Sequence, residues 1–283
     1  MKWIRSGIFI AILVMAAKTQ AGNDGSLIRQ SKSIVFIHGL FQNPQSWTPW
    51  KKFFEERGYT CYTPAYPYHE GEPAALRQHI NPALGKLTLT AVLDSLEKFI
   101  DALPEKPILI GHSMGGLLAQ LLIARQKAVA AVCIDAAPPK GIFSFKWSFL
   151  KANLATINPF KGNSVCLPSV EWFHYAFCNT MSLEETQAAY TSYVVPESRN
   201  IPRNSTSKAG KIDFKKAHEP LLFIAGEKDN IIPPSLNKKN FEAYKDKGSA
   251  TAFKEFPGRT HYICGQDGWL EVATYILNWI EKP

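Results

Sequence analysis

The sequence predicts an α/β protein: a mostly parallel sheet of about six strands flanked by helices, interrupted once by an inserted, mainly helical block. Three observations predict it. Short β-branched and aliphatic runs alternate with segments of helical spacing, as a parallel sheet with helices on both faces requires. One junction, "ILIGHSMGGLLA" over 108–119, sets a serine among glycines where a strand-like run stops and a helix-like run starts. The alternation lapses from about Lys140 to Lys216, where the chain turns aromatic-rich, and then resumes.

The elements follow in order. "SIVFIHG" (33–39) is a β-branched run ending in glycine and reads as a buried strand. "SWTPWKKFFEERG" (46–58) has helical spacing between a serine cap candidate and a terminal glycine. "YTCYTP" (59–64) is a short strand, and a polar, proline-rich loop is expected from 65 to about 87. "LTAVLDSLEKFIDAL" (89–103) spaces its apolar residues by three and four, as a helix does. "PILIGH" is a strand, "MGGLLAQLLIARQ" a helix, and "VAAVCIDAAPP" (129–139) a strand stopped by prolines. Within the irregular block, "SLEETQAAYTSYVV" (182–195) reads as a helix with Ser182 and Glu185 as a capping box. "EPLLFIAGEKD" (219–229) and "ATAFKEFPG" (250–258) are strands; "PSLNKKNFEAYKDKG" (234–248) and "GWLEVATYILNWI" (268–280) are helices.

The chain has 283 residues, 46% of them hydrophobic and 20% charged, which is enough for one large core with a subdomain. Its first residues stand apart. Lys2 and Arg5 precede an apolar run from Gly7 to Ala17, and small residues surround Ala21. That is the pattern of a secretory signal peptide, expected to be cleaved after Ala21, and the run is shorter than the ~20 residues of a membrane span; an uncleaved N-terminal membrane anchor is the alternative. The expected organisation is therefore a leader at 1–21, a core formed by 22–139 and 217–283, and a cap at 140–216, in an exported protein with no stable membrane span after processing. The formal net charge of +8 is spread in scattered positions, without the basic stripe and interleaved aromatics of a nucleic-acid site. The five cysteines allow disulfides in an oxidising compartment, with Cys166 and Cys178 the best pair because they share one segment. No C-x-x-C and no histidine cluster suggests a metal, and no cofactor is expected.

Gly111-His112-Ser113-Met114-Gly115 fits G-x-S-x-G in the context that motif needs, strand before and helix after. A serine made to protrude from such a turn strains its own backbone, and glycine on either side avoids the clash. The helix behind Ser113 aims its free amides at the hydroxyl, so the Met114 N–H is a candidate oxyanion donor. A serine hydroxyl needs a base, and the base needs a carboxylate to fix its tautomer. Asp229, just past a strand, is the leading acid; Glu227 and Asp135 are alternatives. His261 in "FPGRTHYICG" is the leading base, with His38 its nearest rival. "HGLFQNPQSW" (38–47) would supply the second oxyanion donor from Leu40, with Phe41 next.

"HG" after the first strand, then "GHSMGG", "GEKDNIIP" and "GRTH" in that order, resemble the α/β-hydrolase superfamily, in particular its lipase, esterase and cofactor-free haloperoxidase-like members. The likeness runs from 33 to 281 except for the cap. It implies Ser113 as nucleophile, Asp229 as triad acid and His261 as base. A serine at that position argues against the dehalogenase and epoxide hydrolase chemistries of the superfamily, which use an aspartate. The family often places two further strands before the "HG" strand, and residues 22–32 are too few for both. The expected reaction is hydrolysis of a small or medium apolar ester through an acyl-enzyme, failing at acid pH as the base protonates near ~6.5. Perhydrolysis, C–C cleavage, acyl transfer, or ligand binding with little turnover are the alternatives. The expected partner is a small-molecule substrate. Cap aromatics Phe143, Phe145, Trp147, Trp172, Phe173, Tyr175 and Phe177 suggest an apolar pocket or simple packing, and Arg199 is a further candidate near the site.

Overall fold

The structure, a computed structural model, describes residues 31–282. The expected leader at 1–21 lies outside the described residues. Strand β1 (Ser33–Ile37) leads through a 3₁₀ turn at Pro44–Trp47 into helix α1 (Thr48–Glu55), and Gly58 at φ +84° turns the chain into β2 (Thr60–Tyr62). Helices α2 (Pro73–Gln78) and α3 (Leu89–Asp101) precede β3 (Ile108–His112), α4 (Met114–Ala124) and β4 (Ala130–Ile134). Then come α5 (Trp147–Ile157), β5 (Val165–Cys166), α6 (Val170–Phe177), α7 (Leu183–Tyr193), β6 (Glu197–Ser198) and α8 (Asn200–Ser205). The chain closes with β7 (Leu221–Gly226), α9 (Pro234–Ala243), β8 (Thr251–Phe256) and α10 (Trp269–Ile280).

The main sheet has six strands in the order β2-β1-β3-β4-β7-β8, every pair parallel. Parallel pairs need crossovers, and the crossovers cover both faces with helices. Residues alternate accordingly. Val35, Ile37, Leu109 and Phe223 pack with Leu117 and Leu118 of α4 and with α3. Ile34, Phe36, Ile110 and Ile224 pack with Trp50 and Phe54 of α1 and Val272 and Ile276 of α10. Helix α4 is buried from Met114 to Ile123, because it is held between the sheet and other helices. A parallel sheet also collects its carboxyl ends on one edge, so the turns after β1, β3, β4, β7 and β8 gather there. That edge places His38–Gln42, Ser113, Asp135, Asp229 and His261 near one another in space.

Three local expectations need correction. Residues 65–87 are not one loop: Pro73 stands at the first position of α2, where proline costs no hydrogen bond, and a 3₁₀ turn follows at Pro82–Lys86. Helix α9 ends at Ala243 rather than at the glycine, because Tyr244 turns extended and Lys245 N–H is taken by Phe214 O at 2.9 Å. Cys166 and Cys178 are not joined; all five cysteines are free and buried. Cys166 sits on β5 opposite Glu197, while Cys178 ends α6 with its N–H on the Phe173 and His174 carbonyls, so each packs separately. The capping box of α7 is present: Glu185 N–H donates to Ser182 Oγ at 3.1 Å and Ser182 N–H to Glu185 Oε2 at 2.7 Å.

The segment between β4 and β7 is tied to the sheet edge at several points. Val195 N–H donates to Phe41 O at 3.0 Å, and Tyr262 N–H to Phe177 O at 3.0 Å. Arg77 of α2 reaches across to Val194 O at 2.6 Å and Thr191 O at 2.8 Å. Among the described residues, no helix is long and apolar enough to cross a membrane.

Candidate active site

Ser113 stands between β3 and α4 with φ 56° and ψ −118°, a conformation L-residues adopt only under constraint. Its backbone is held in place on all sides. Ser113 N–H donates to Ile134 O at 2.9 Å, while Ser113 O accepts from Gly116 N–H at 3.0 Å and Ala137 N–H at 2.9 Å. The turn is tight enough that a Cβ on Gly111 would lie 2.2 Å from Gly115 O, and one on Gly115 would lie 2.1 Å from Ile37 O. Both contacts are with backbone that cannot retreat, so both positions require glycine.

The hydroxyl meets an imidazole. His261 Nε2 lies 3.0 Å from Ser113 Oγ, and His261 Nδ1 lies 2.6 Å from Asp229 Oδ2. Asp229 Oδ1 accepts N–H bonds from Ile231 and Ile232, each 2.8 Å. The acid therefore fixes the imidazole with one oxygen while its other oxygen is fixed by the turn. Phe177 stands edge-on to the His261 ring at 4.6 Å and His112 lies at 4.7 Å. His112 Nε2 donates to the His261 carbonyl at 2.8 Å and clamps its backbone. Burial lowers the His261 pKa to about 3, so the neutral ring with Nδ1–H on Asp229 and a free lone pair at Nε2 is the form at neutral pH.

Asp135 adds a second carboxyl. It follows β4 at φ 42°, with Oδ1 accepting Gly226 N–H at 2.7 Å. Its Oδ2 is buried and has no hydrogen-bond partner among the described residues. Burial raises the pKa of both Asp135 and Asp229, and the charge of Asp229 raises that of Asp135 further. In the sequence it was one of three acids past a strand; only the register that sets β4 beside β7 shows that two of them meet.

The rivals lie elsewhere. Glu227 is half-exposed, paired with Lys228 at 2.8 Å and with Gly258 N–H at 2.8 Å. His38 is wholly buried, its Nδ1 2.9 Å from Gly39 O and its Nε2 accepting Tyr66 N–H at 3.3 Å, and burial takes its pKa down to about 3. It organises the loop after β1 instead of facing Ser113. Arg199 turns away to the Thr156 carbonyl at the end of α5, at 3.2 Å. His112, Asp135 and His261 each bring an atom within 4.8 Å of the others, a spacing suited to a metal ion. Both nitrogens of His261 are taken by Asp229 and Ser113, and both of His112 by Gln42 and the His261 carbonyl, so the set does not fit one.

Leu40 and Met114 line the same cavity as Ser113, and neither backbone N–H is used by the protein among the described residues. The cavity measures about 360 Å³ and is walled by Phe149, Leu150, Phe177, Ile231 and Ile232. Of the aromatics singled out from sequence, Phe143 and Phe177 line it. Phe173 is buried in the core, with Trp172 and Tyr175 packed against it, and Phe145 and Trp147 are exposed. Phe149, which sequence reading passed over, sits on the inner face of α5 and does line it.

The model of the alpha/beta hydrolase family matches residues 34–274. No curated protein matches the chain. Solved structures similar to it include an extracellular alpha/beta-hydrolase from a Paenibacillus species, 22% identical over 87% of this chain and 98% of the other, with a TM-score of 0.66. A monoacylglycerol lipase from Paleococcus ferrophilus is 19% identical over 88% of this chain and 93% of the other, TM-score 0.63. Polyneuridine aldehyde esterase is 19% identical over 88% and 99%, TM-score 0.64. At these identities the likeness is one of fold.

Two substitutions test this geometry by thermal and denaturant unfolding. Gly115→Ala forces a methyl onto Ile37 O and is expected to destabilise by about 3 kcal/mol or more. Asp135→Asn keeps an acceptor for Gly226 at nearly the same size, so its stability should stay near that of the parent. Asp135→Ala strands the buried Gly226 N–H and should cost about 1–3 kcal/mol.

Proposed function

The chain belongs to the alpha/beta hydrolase family, and from that premise we propose that it is a serine hydrolase of the carboxylic ester hydrolase type, with 140–216 as a cap over the site. The observation that carries the reading is the single hydrogen-bonded line from Ser113 Oγ through both His261 nitrogens to Asp229, 3.0 Å and 2.6 Å long. A nucleophile, its base and the base's anchor are within reach, in the protonation states the reaction needs.

In the proposed reaction His261 Nε2 takes the Ser113 proton as Oγ attacks the ester carbonyl. The carbonyl oxygen gains negative charge and is met by the Leu40 and Met114 N–H groups, which lose little on reorganisation because the turn already aims them. Asp229 holds the imidazolium by Nδ1–H and offsets its charge. The imidazolium hands its proton to the departing alkoxide oxygen, leaving an ester on Ser113. A water, deprotonated by the same Nε2, then attacks the acyl carbon and releases the acid and Ser113. The cavity lies at the small end of the range for ligand sites, about 300–1,000 Å³, and its apolar wall suits a small or medium apolar acyl or aromatic group.

A chain-length series of p-nitrophenyl esters tests the reading, together with a serine-reactive phosphonate followed by peptide mapping. Multiple turnover is expected, with the label on Ser113 and a loss of at least about 10³-fold in kcat in Ser113→Ala. Label on another residue, or full turnover by Ser113→Ala, rules the reading out. Burial lowers the His261 pKa, so the base stays neutral to more acid pH than a free histidine. The acid limb of kcat/KM should therefore fall below the ordinary value of about 6.5.

A further inference from the structure

Helix α5 has two apolar faces. Phe149, Ala152 and Thr156, spaced by three and four, are buried. Trp147 and Leu154, seven apart on another face, are 72% and 65% exposed. Phe145 just before the helix is 85% exposed and Phe160 in the turn after it 95%. Water-facing helix surface is normally polar, and large apolar side chains collected on one segment mark an interaction surface. The patch is continuous with the cavity. Phe143 packs against exposed Phe145 at 5.0 Å and against cavity-lining Phe149 at 5.5 Å, and Phe143 and Leu154 themselves line the cavity while 47% and 65% exposed to solvent.

Its charge says what the patch faces. Lys140, Lys146, Lys151 and Lys161 are exposed along this segment, and Lys239 reaches the Phe143 carbonyl at 3.3 Å. From residue 136 to residue 170 there is no aspartate or glutamate. Aromatics and leucine interleaved with lysine, without an acid, are the chemistry of a segment that lies in the headgroup region of an anionic bilayer. We propose that Lys140–Lys161 is a docking surface that seats the cavity mouth on an anionic lipid bilayer, from which an amphiphilic ester enters. The ester part rests on the function proposed above; the docking part does not.

The test uses the full chain carrying Ser113→Ala, so that binding is read without turnover. Vesicles of equimolar phosphatidylglycerol and phosphatidylcholine are compared with phosphatidylcholine alone in a sedimentation assay. Binding should favour the anionic vesicles and weaken with salt. Lys146→Gln and Lys161→Gln should each weaken it by about fivefold. The triple variant Phe145→Ser, Trp147→Ser, Phe160→Ser should weaken it by about 100-fold or more. These three aromatics do not line the cavity, so with Ser113 restored the triple variant should hydrolyse a dissolved short-chain p-nitrophenyl ester as the parent does, which also shows it folded. Brominated lipid should quench a fluorescence component that Trp147→Phe removes, a local readout that no other membrane-binding part of the chain supplies. Equal binding by parent and triple variant, no Trp147 quenching, or a concentration-dependent dimer that the triple variant abolishes would each overturn docking on lipid. Vesicle binding with no ester turnover would overturn the proposed function and leave the docking surface standing.

Discussion

Everything at the sheet edge depends on one strained residue being tolerated. Ser113 at φ 56° costs about 1–3 kcal/mol relative to an ordinary conformation. The turn offsets this by satisfying the Ser113 N–H and carbonyl with Ile134, Gly116 and Ala137, all of them backbone groups that the sheet register positions. Gly115 then lets β1 and α4 approach closely, and the hydroxyl stands 3.0 Å from the imidazole. The strain and the close approach are the same fact: the first would relax if the second were loosened by a single methyl group.

The second economy is one of charge. His38, His112 and His261 are all buried, and burial holds each below the ordinary histidine value. Neutral buried histidines contribute stability above the unfolded pKa of about 6.5 and withdraw it as the pH falls, because the unfolded chain binds protons that the folded one refuses. His69 is the counterexample. Burial works against its charge, but the Glu197 carboxylate 3.2 Å away overcomes this and holds its pKa above the ordinary value. That contribution is complete below the unfolded pKa and is lost as the pH rises through the folded one. His69 belongs to the 65–87 stretch and Glu197 to β6, so this pair fastens the inserted segment to the core. Asp135 and Asp229 put two acids in one dry place, and burial raises the pKa of both.

What the sequence made legible was whatever repeats locally. The strands at 33–37, 108–112, 130–134 and 221–226 are continuous apolar runs because both faces are covered, and such runs have few other readings. The serine turn was legible because sterics force glycine at fixed offsets from it. Asp229 and His261 were legible as residues past strands, and their meeting follows from parallel strands sharing one carboxyl edge. Contacts between distant segments that carry no local mark were not legible. Nothing in "VCIDAAP" says that Asp135 will take the Gly226 N–H, and nothing in the proline-rich stretch says that Arg77 will reach the carbonyls at the end of α7. Helix α2 was hidden because it is six residues long and begins with the proline taken as a sign of loop. The cysteine pairing failed because nearness along the chain says little about nearness in the fold.

The inserted segment shows why composition alone misjudges aromatics. An aromatic-rich block packed onto a core should bury its rings, and Phe173 and Phe177 do so against Tyr262 and His261. Helix α5 instead divides its apolar side chains between an inner face at the cavity and an outer face towards solvent. The inner face repays its burial at about 25 cal/mol per Å² of apolar area, as any core does. The outer face gains nothing from folding and leaves apolar area in water. Such an arrangement is stable only because the inner face already secures the helix, which frees the outer one to be selected for something other than stability. A surface of that kind, bordered by lysines and continuous with the apolar cavity at Ser113, makes physical sense when its apolar area is covered during function.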